Sequence, residues 1–278
     1  MNLQSGFSKN LRSLKRRSFL GQLVVTLLSC ELLFFASFVS LSLPTPTSRN
    51  LERYVHNTAV DFVNQLPSKW QERIREKLPA TRDRMPDVRF SSYVPLLPVA
   101  MAVAYMLGLP LALIASSIYF GLGMLGANSG LFLFASGGGS SYCHEPGFGY
   151  LLGIIPGVWF ASWLTSDEER KSWKQMLAAT GGITITHICG LAYFFGSSIM
   201  VLLFEGEAAY LHYQPWLAEQ IRNLSWYTLP YDLLFATILI ALTFPLRWLF
   251  GILMSPDIAN KNRPTVETQL EVLQETSY

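Results

Sequence analysis

Charge is scarce in this 278-residue chain: only 14% of its residues are Asp, Glu, Lys or Arg, while 50% are hydrophobic. At a mean hydropathy of +0.29 a water-soluble domain would carry more apolar surface than it could bury, so lipid must solvate the excess. Cysteine is sparse too. Cys30 and Cys189 fall within apolar runs and Cys143 in a loop, so no pair is suited to a disulfide. His187, Cys189, Cys143 and His144 are the residues a metal would use, but neither CxxC nor HxxxH spacing occurs, and no metal or cofactor is expected. A GxxxxGK[ST] phosphate loop is missing, which leaves any ATP chemistry to a partner. No internal repeat or second soluble domain is visible.

What the chain does have is length without charge. A helix needs about 20 apolar residues to cross the hydrocarbon core, and six runs approach that. The first is Phe19–Leu43, interrupted only by Glu31. The second and third share Tyr93–Ala127, an uncharged stretch broken at Gly108-Leu109-Pro110. The fourth is Gly149–Leu164, the fifth Met176–Phe204 and the sixth Leu229–Met254. Such runs must be helices in lipid, where only internal hydrogen bonds satisfy the backbone. Barrel strands would instead alternate with period two over about ten residues. The expected fold is an all-α integral membrane protein with six transmembrane helices and an amphipathic helical insertion after the first. Its parts are a basic N-terminal segment over 1–18, a membrane domain over 19–254 with the insertion at 44–92, and a flexible tail over 255–278.

Basic residues set the orientation. Lys9, Arg12, Lys15, Arg16 and Arg17 precede the first span, Arg170, Lys171 and Lys174 follow the fourth, and Lys261 and Arg263 lie in the tail. These flanks should be cytoplasmic, with both termini inside and the loop Glu205–Thr228 outside. The connection Pro44–Arg89 runs against the rule, with nine Lys or Arg to six Asp or Glu on the external side. Membrane flanks account for the basic residues, so no nucleic-acid role is expected. Within the connection, Leu51, Tyr54, Val55, Ala59, Phe62, Val63 and Leu66 recur at helical spacing, and Trp70, Ile74 and Leu78 follow Pro67. Two short amphipathic helices are expected, lying on the membrane, capping a cavity or serving as a solvated spacer. Leu27-Leu28-Ser29-Cys30 has the form of a lipoprotein cleavage box, but the apolar run continues to Leu43, as a retained span does.

Polar groups inside spans are costly and therefore candidate sites. Asp232 opens the sixth run, placed either to accept hydrogen bonds from a ligand or as a simple helix N-terminal charge. Glu31 is protonated, paired, facing a wet cavity or held by an interior hydrogen bond. His187, with Thr184 and Thr186, reads as a satisfied interior cluster. Ser129 and His187 supply the residue types of an intramembrane serine protease, but nothing in the sequence fixes the histidine near the serine. No enzymatic activity is expected.

One stretch carries a family resemblance. Leu131-Phe132-Leu133-Phe134-Ala135-Ser136-Gly137-Gly138-Gly139, followed by Pro146-Gly147-Phe148-Gly149-Tyr150-Leu151-Leu152-Gly153, resembles the biotin-specific substrate-binding component of energy-coupling-factor transporters, the BioY family. Gly108-Leu109-Pro110, Tyr119 with Gly121-Leu122-Gly123, and Leu229-Pro230-Tyr231-Asp232-Leu233 extend the likeness over about Val88–Arg247. The resemblance implies a multi-pass protein of the cell (plasma) membrane that binds biotin in a cavity open to the outside. It implies a transmembrane coupling subunit and cytoplasmic ATPases as partners within the lipid bilayer. By position it nominates Ser136, Gly137, Gly138, Tyr150 and Asp232 as substrate-binding residues. Phe235 stands where the family usually has a lysine, the insertion Pro44–Asp87 replaces a short loop, and Ala36 with Ser40 substitutes for an Ala-x-x-x-Ala docking face. Two other functions fit these departures: a membrane scaffold or assembly factor that kept the fold but lost the ligand, and a transporter of another small vitamin-like solute.

Overall fold

The structure, a computed structural model, describes residues 18–75, 87–126, 134, 138–166 and 172–254. Helix α1 spans Phe19–Phe38, capped by the Ser18 hydroxyl, which accepts from the Gly21 amide. The first apolar run was expected to stay helical to Leu43, but it leaves the helix at Val39. Leu41-Ser42-Leu43 alternates with period two, the pattern of a strand. Here strand β1 (Leu41–Pro44) pairs antiparallel with β2 (Phe90–Tyr93), Leu41 opposite Tyr93 and Pro44 opposite Phe90.

This ribbon closes the base of the insertion, which holds helices α2 (Ser48–Gln65) and α3 (Ser68–Arg75). Asn50 is the clasp. Its buried side-chain amide donates to the carbonyls of Arg89 (2.8 Å) and Thr45 (3.0 Å), and its oxygen accepts from the Arg89 amide at 2.8 Å.

Helices α4 (Leu96–Leu107) and α5 (Leu109–Gly126) meet at Gly108, whose φ of 77° is open to glycine at no steric cost. Helix α4 is the axis of the molecule. It is apolar on every side, as a central helix must be, and every residue from Ala100 to Leu107 is buried. It packs against α1, α5, α6 (Phe148–Leu164), α7 (Ser172–Phe204), α9 (Leu229–Leu242) and α10 (Phe244–Leu253).

Among the described residues the most extensive helix contact is that of α6 with α7, and glycine is the reason. Gly149, Gly153 and Gly157 recur every fourth residue on α6 and face Gly182, Thr186 and Gly190 on α7. A Cβ on Gly153 would lie 2.7 Å from the Thr186 carbonyl oxygen, and one on Gly190 would lie 2.6 Å from the Tyr150 ring. Such small-residue faces let backbones approach where lipid gives no hydrophobic drive to association. The approach lets Thr186 Oγ1 donate across the interface to the Gly153 carbonyl at 3.1 Å.

Two expectations past α7 are corrected. Glu205–Thr228 is not a loop: it forms α8 (Glu207–Ile221) and a π-helical turn (Arg222–Trp226) that leads into α9. Gly206 makes the reversal with φ 88°, and no further glycine interrupts the run. The sixth apolar run also divides at Thr243, because Pro245 has no N–H to continue the ladder and instead suits the first turn of a new helix, α10. Helix α1, helix α7 and the run Glu207–Leu242 are long and apolar enough to cross a membrane, whereas α4, α5, α6 and α10 are shorter apolar helices. Leu27 and Phe35 on α1, Leu122 on α5, Ile199 on α7 and Ile238 on α9 face outward, as lipid-facing residues do.

Candidate functional site

Pro230 starts α9 and places Asp232 in its first turn, pointing inward. The carboxylate is 3% exposed, and a buried charge is tolerable only when its oxygens are satisfied. Oδ1 accepts from the Tyr93 hydroxyl at 2.7 Å, and Oδ2 lies 3.0 Å from His187 Nε2. Tyr93 arrives from the end of β2, and His187 from the middle of α7. Their meeting joins positions 139 and 45 residues away from Asp232 in sequence.

The contacts continue outward from the histidine. His187 Nδ1 is 3.3 Å from Ser225 Oγ, which is 2.5 Å from the Tyr150 hydroxyl. With Nε2 donating to the carboxylate, a neutral imidazole leaves Nδ1 as an acceptor. Ser225 then donates to Nδ1 and Tyr150 donates to Ser225. The donors of this chain all run toward Asp232, and the Tyr150 oxygen at its far end keeps its lone pairs. The π turn delivers Ser225. Single π turns often sit at functional sites because the wider turn re-aims one side chain.

A cavity of about 280 Å³ lies against this network, with Asp232, Tyr93 and Tyr150 in its lining. Its apolar wall is aromatic: Phe134 packs against Tyr119 and Tyr142 at ring separations of 5.6 and 4.9 Å. Gly123 makes room for that wall, since a Cβ there would fall 2.0 Å from the Phe134 ring. Among the described residues the lining contains no Lys or Arg. Arg222 heads the π turn and Arg89 is tied by its backbone to Asn50, and neither reaches the cavity. Phe235 instead packs its ring 5.6 Å from that of Tyr93.

Of the residues nominated from the sequence, the fold brings Tyr150 and Asp232 to one cavity and links them through Ser225 and His187. Gly138 ends the glycine loop without entering the lining, and Gly139 beside it donates its amide to the Gly123 carbonyl at 3.0 Å. Ser136, Gly137 and Ser129 lie outside the described residues, as do the basic flanks at 9–17, 170–171 and 261–263. Glu31 is on the exposed face of α1, away from the cavity, so neither an interior hydrogen bond nor a wet cavity describes its setting. Among the described residues no three His, Cys, Asp or Glu side chains gather to hold a metal. The sequence reading missed Tyr93 and Ser225. Neither has a local signal, because a tyrosine at the edge of an apolar run and a serine beside a tryptophan are ordinary until the fold sets them against a carboxylate.

The family model described as the BioY family matches residues 94–251, from the start of α4 to the last turns of α10. A solved structure described as the S-component for biotin from an ECF-type ABC transporter is similar at 18% identity and a TM-score of 0.38, covering 57% of this chain and 76% of that one. No curated protein matches.

Proposed function

The chain belongs to the BioY family, and on that premise we propose that it is the substrate-binding component of a membrane transporter that takes up biotin. In this reading it crosses the plasma membrane six times with both termini in the cytoplasm. It works with a transmembrane coupling subunit and cytoplasmic ATPases, because the chain has no phosphate loop of its own. The observation that carries the proposal is the cavity lined by α1, β2, α4, α5, α6, α9 and the π turn, most of whose lining residues fall within the matched stretch and which includes Asp232.

Chemistry supports this choice of ligand. The cavity is close to the lower bound of about 300 Å³ for small-ligand sites, mostly apolar with a few convergent polar groups. The aromatic wall suits a thioether ring. Asp232 and the Tyr150 oxygen offer acceptors for the two N–H groups of a ureido ring, and the glycine loop with Ser136 and Gly137 completes the site. Among the described residues no cation faces the cavity, and in this reading the carboxylate of biotin contributes little to recognition.

A second reading, a scaffold that kept the fold, draws on one observation: the protein itself already satisfies both oxygens of Asp232. Calorimetry on the protein in lipid nanodiscs separates the two. Biotin and biotin amide should bind alike and desthiobiotin more weakly. No heat from any of the three would leave the scaffold, or a transporter of another solute.

A further inference from the structure

We propose that the Tyr93 hydroxyl holds the place on Asp232 that a ligand N–H group takes, making Tyr93 a specificity-determining plug carried by the β1–β2 ribbon. The inference rests on the reading of the cavity as a ligand site and concerns how a ligand gains access to its carboxylate.

Asp232 and Tyr93 are 3% and 2% exposed, and each carboxylate oxygen already has one protein donor. A carboxylate has about four acceptor sites, so access and not capacity is the limit: with Asp232 3% exposed, a ligand gains a direct approach when a side chain covering the carboxylate moves aside. His187 is poorly placed to do so. It sits in the middle of a 33-residue helix, and its neighbour Thr186 is bonded across the glycine-packed interface to Gly153. Tyr93 ends a strand of four residues whose only sheet partner among the described residues is an equally short strand. Ser92, Tyr93 and Val94 form one wall of the cavity, so movement of the ribbon opens the cavity and the carboxylate together.

Beyond that hydrogen bond the Tyr93 ring contacts those of Tyr231 and Phe235 at 5.9 and 5.6 Å, and the ribbon is held by its own short ladder, the Ser40–Ser92 hydroxyl pair at 2.7 Å, the Asn50 clasp and the Tyr231 hydroxyl donating to the Pro44 carbonyl. Exchange of a phenol O–H for a ligand N–H replaces one neutral donor by another and keeps the carboxylate satisfied. A solute that offers only acceptors cannot make the exchange and leaves the plug in place. The site therefore selects solutes that carry donor groups such as ureido or amide N–H. The fraction of molecules with Tyr93 displaced scales the apparent affinity.

The test is Tyr93→Phe, which keeps the ring contacts and removes the competing hydroxyl. Two changes of opposite sign are expected: a lower melting temperature without ligand, because Asp232 loses a donor, and biotin binding about tenfold tighter, because the competitor is gone. A merely structural tyrosine, or one that contacts the ligand directly, would weaken both. Unchanged or weaker biotin binding in Tyr93→Phe, with normal binding by the wild type, overturns the inference and leaves the biotin reading intact. Binding by neither protein overturns both, and binding by Tyr93→Phe alone supports both. Should the variant fail to fold, hydrogen exchange on the wild type decides: saturating biotin should speed exchange at the ribbon amides of residues 41–43 and 90–93, and slower or unchanged exchange refutes displacement.

Discussion

Replacing Gly153 by Ala tests whether the contact of α6 with α7 sets the site. The added Cβ would meet the Thr186 carbonyl oxygen at 2.7 Å, the Cys189 Cβ at 2.9 Å and the Thr186 Cα at 3.0 Å. Relaxing these to ordinary separations of about 3.5 Å requires the two backbones to part by several tenths of an ångström. Overpacking of this kind costs about 3 kcal/mol when the obstacle is backbone. Loss of the hydrogen bond from Thr186 to the Gly153 carbonyl adds about 1 kcal/mol, and the better helix propensity of alanine returns about 1 kcal/mol. A net loss of about 3 kcal/mol should lower the melting temperature in detergent by roughly 5–10 °C. Gly196→Ala is the internal control. That glycine lies on the partner helix α7 with nothing within 4 Å of its would-be Cβ, and it should be neutral or slightly stabilising. Because His187 follows Thr186 directly, Gly153→Ala should also weaken ligand binding while Gly196→Ala leaves it unchanged. Equal melting temperatures for the two variants would refute the packing argument.

Asp232→Ala should weaken biotin binding by more than tenfold if the carboxylate accepts a ligand N–H in a buried site, and calorimetry that finds the affinity unchanged would remove it from the site. Asn50→Ala removes three hydrogen bonds that clasp the insertion, and should raise protease sensitivity and hydrogen exchange at residues 41–44 and 87–93 while the bundle stays folded. Arg247 donates to the Thr165 carbonyl at the end of α6 at 3.0 Å and lies 4.8 Å from the centre of the Tyr105 ring. Arg247→Met should therefore cost about 1–2 kcal/mol of thermal stability and leave the affinity for biotin untouched, since the contact is remote from the cavity.

Much of the fold was legible in local pattern. The run Gly149–Leu164 is α6 with one residue added, and the break at Gly108 separates α4 from α5 as its glycine and proline require. The pairing of α6 with α7 was also readable: Gly149, Gly153 and Gly157 repeat every fourth residue, although the sequence reading did not use them. Other features follow competing rules that hydropathy does not weigh. Leu41–Pro44 is apolar enough to prolong a span, yet its alternation and a distant partner strand make it a ribbon. The stretch after Glu205 is polar enough to read as a loop, yet with no glycine after Gly206 it stays helical through the π turn.

The site divides along the same line. Asp232 stood out because a carboxylate at the mouth of an apolar run is costly, and His187 because three polar residues cluster within its span. By itself the sequence determined that this chain belongs in lipid, where α6 runs and where α4 breaks from α5, and which buried charge needs partners. Only the tertiary structure decided who those partners are. Tyr93, His187, Ser225 and Tyr150 come from four separate segments, and a hydrogen bond depends on distances of about 3 Å that no spacing along the chain encodes.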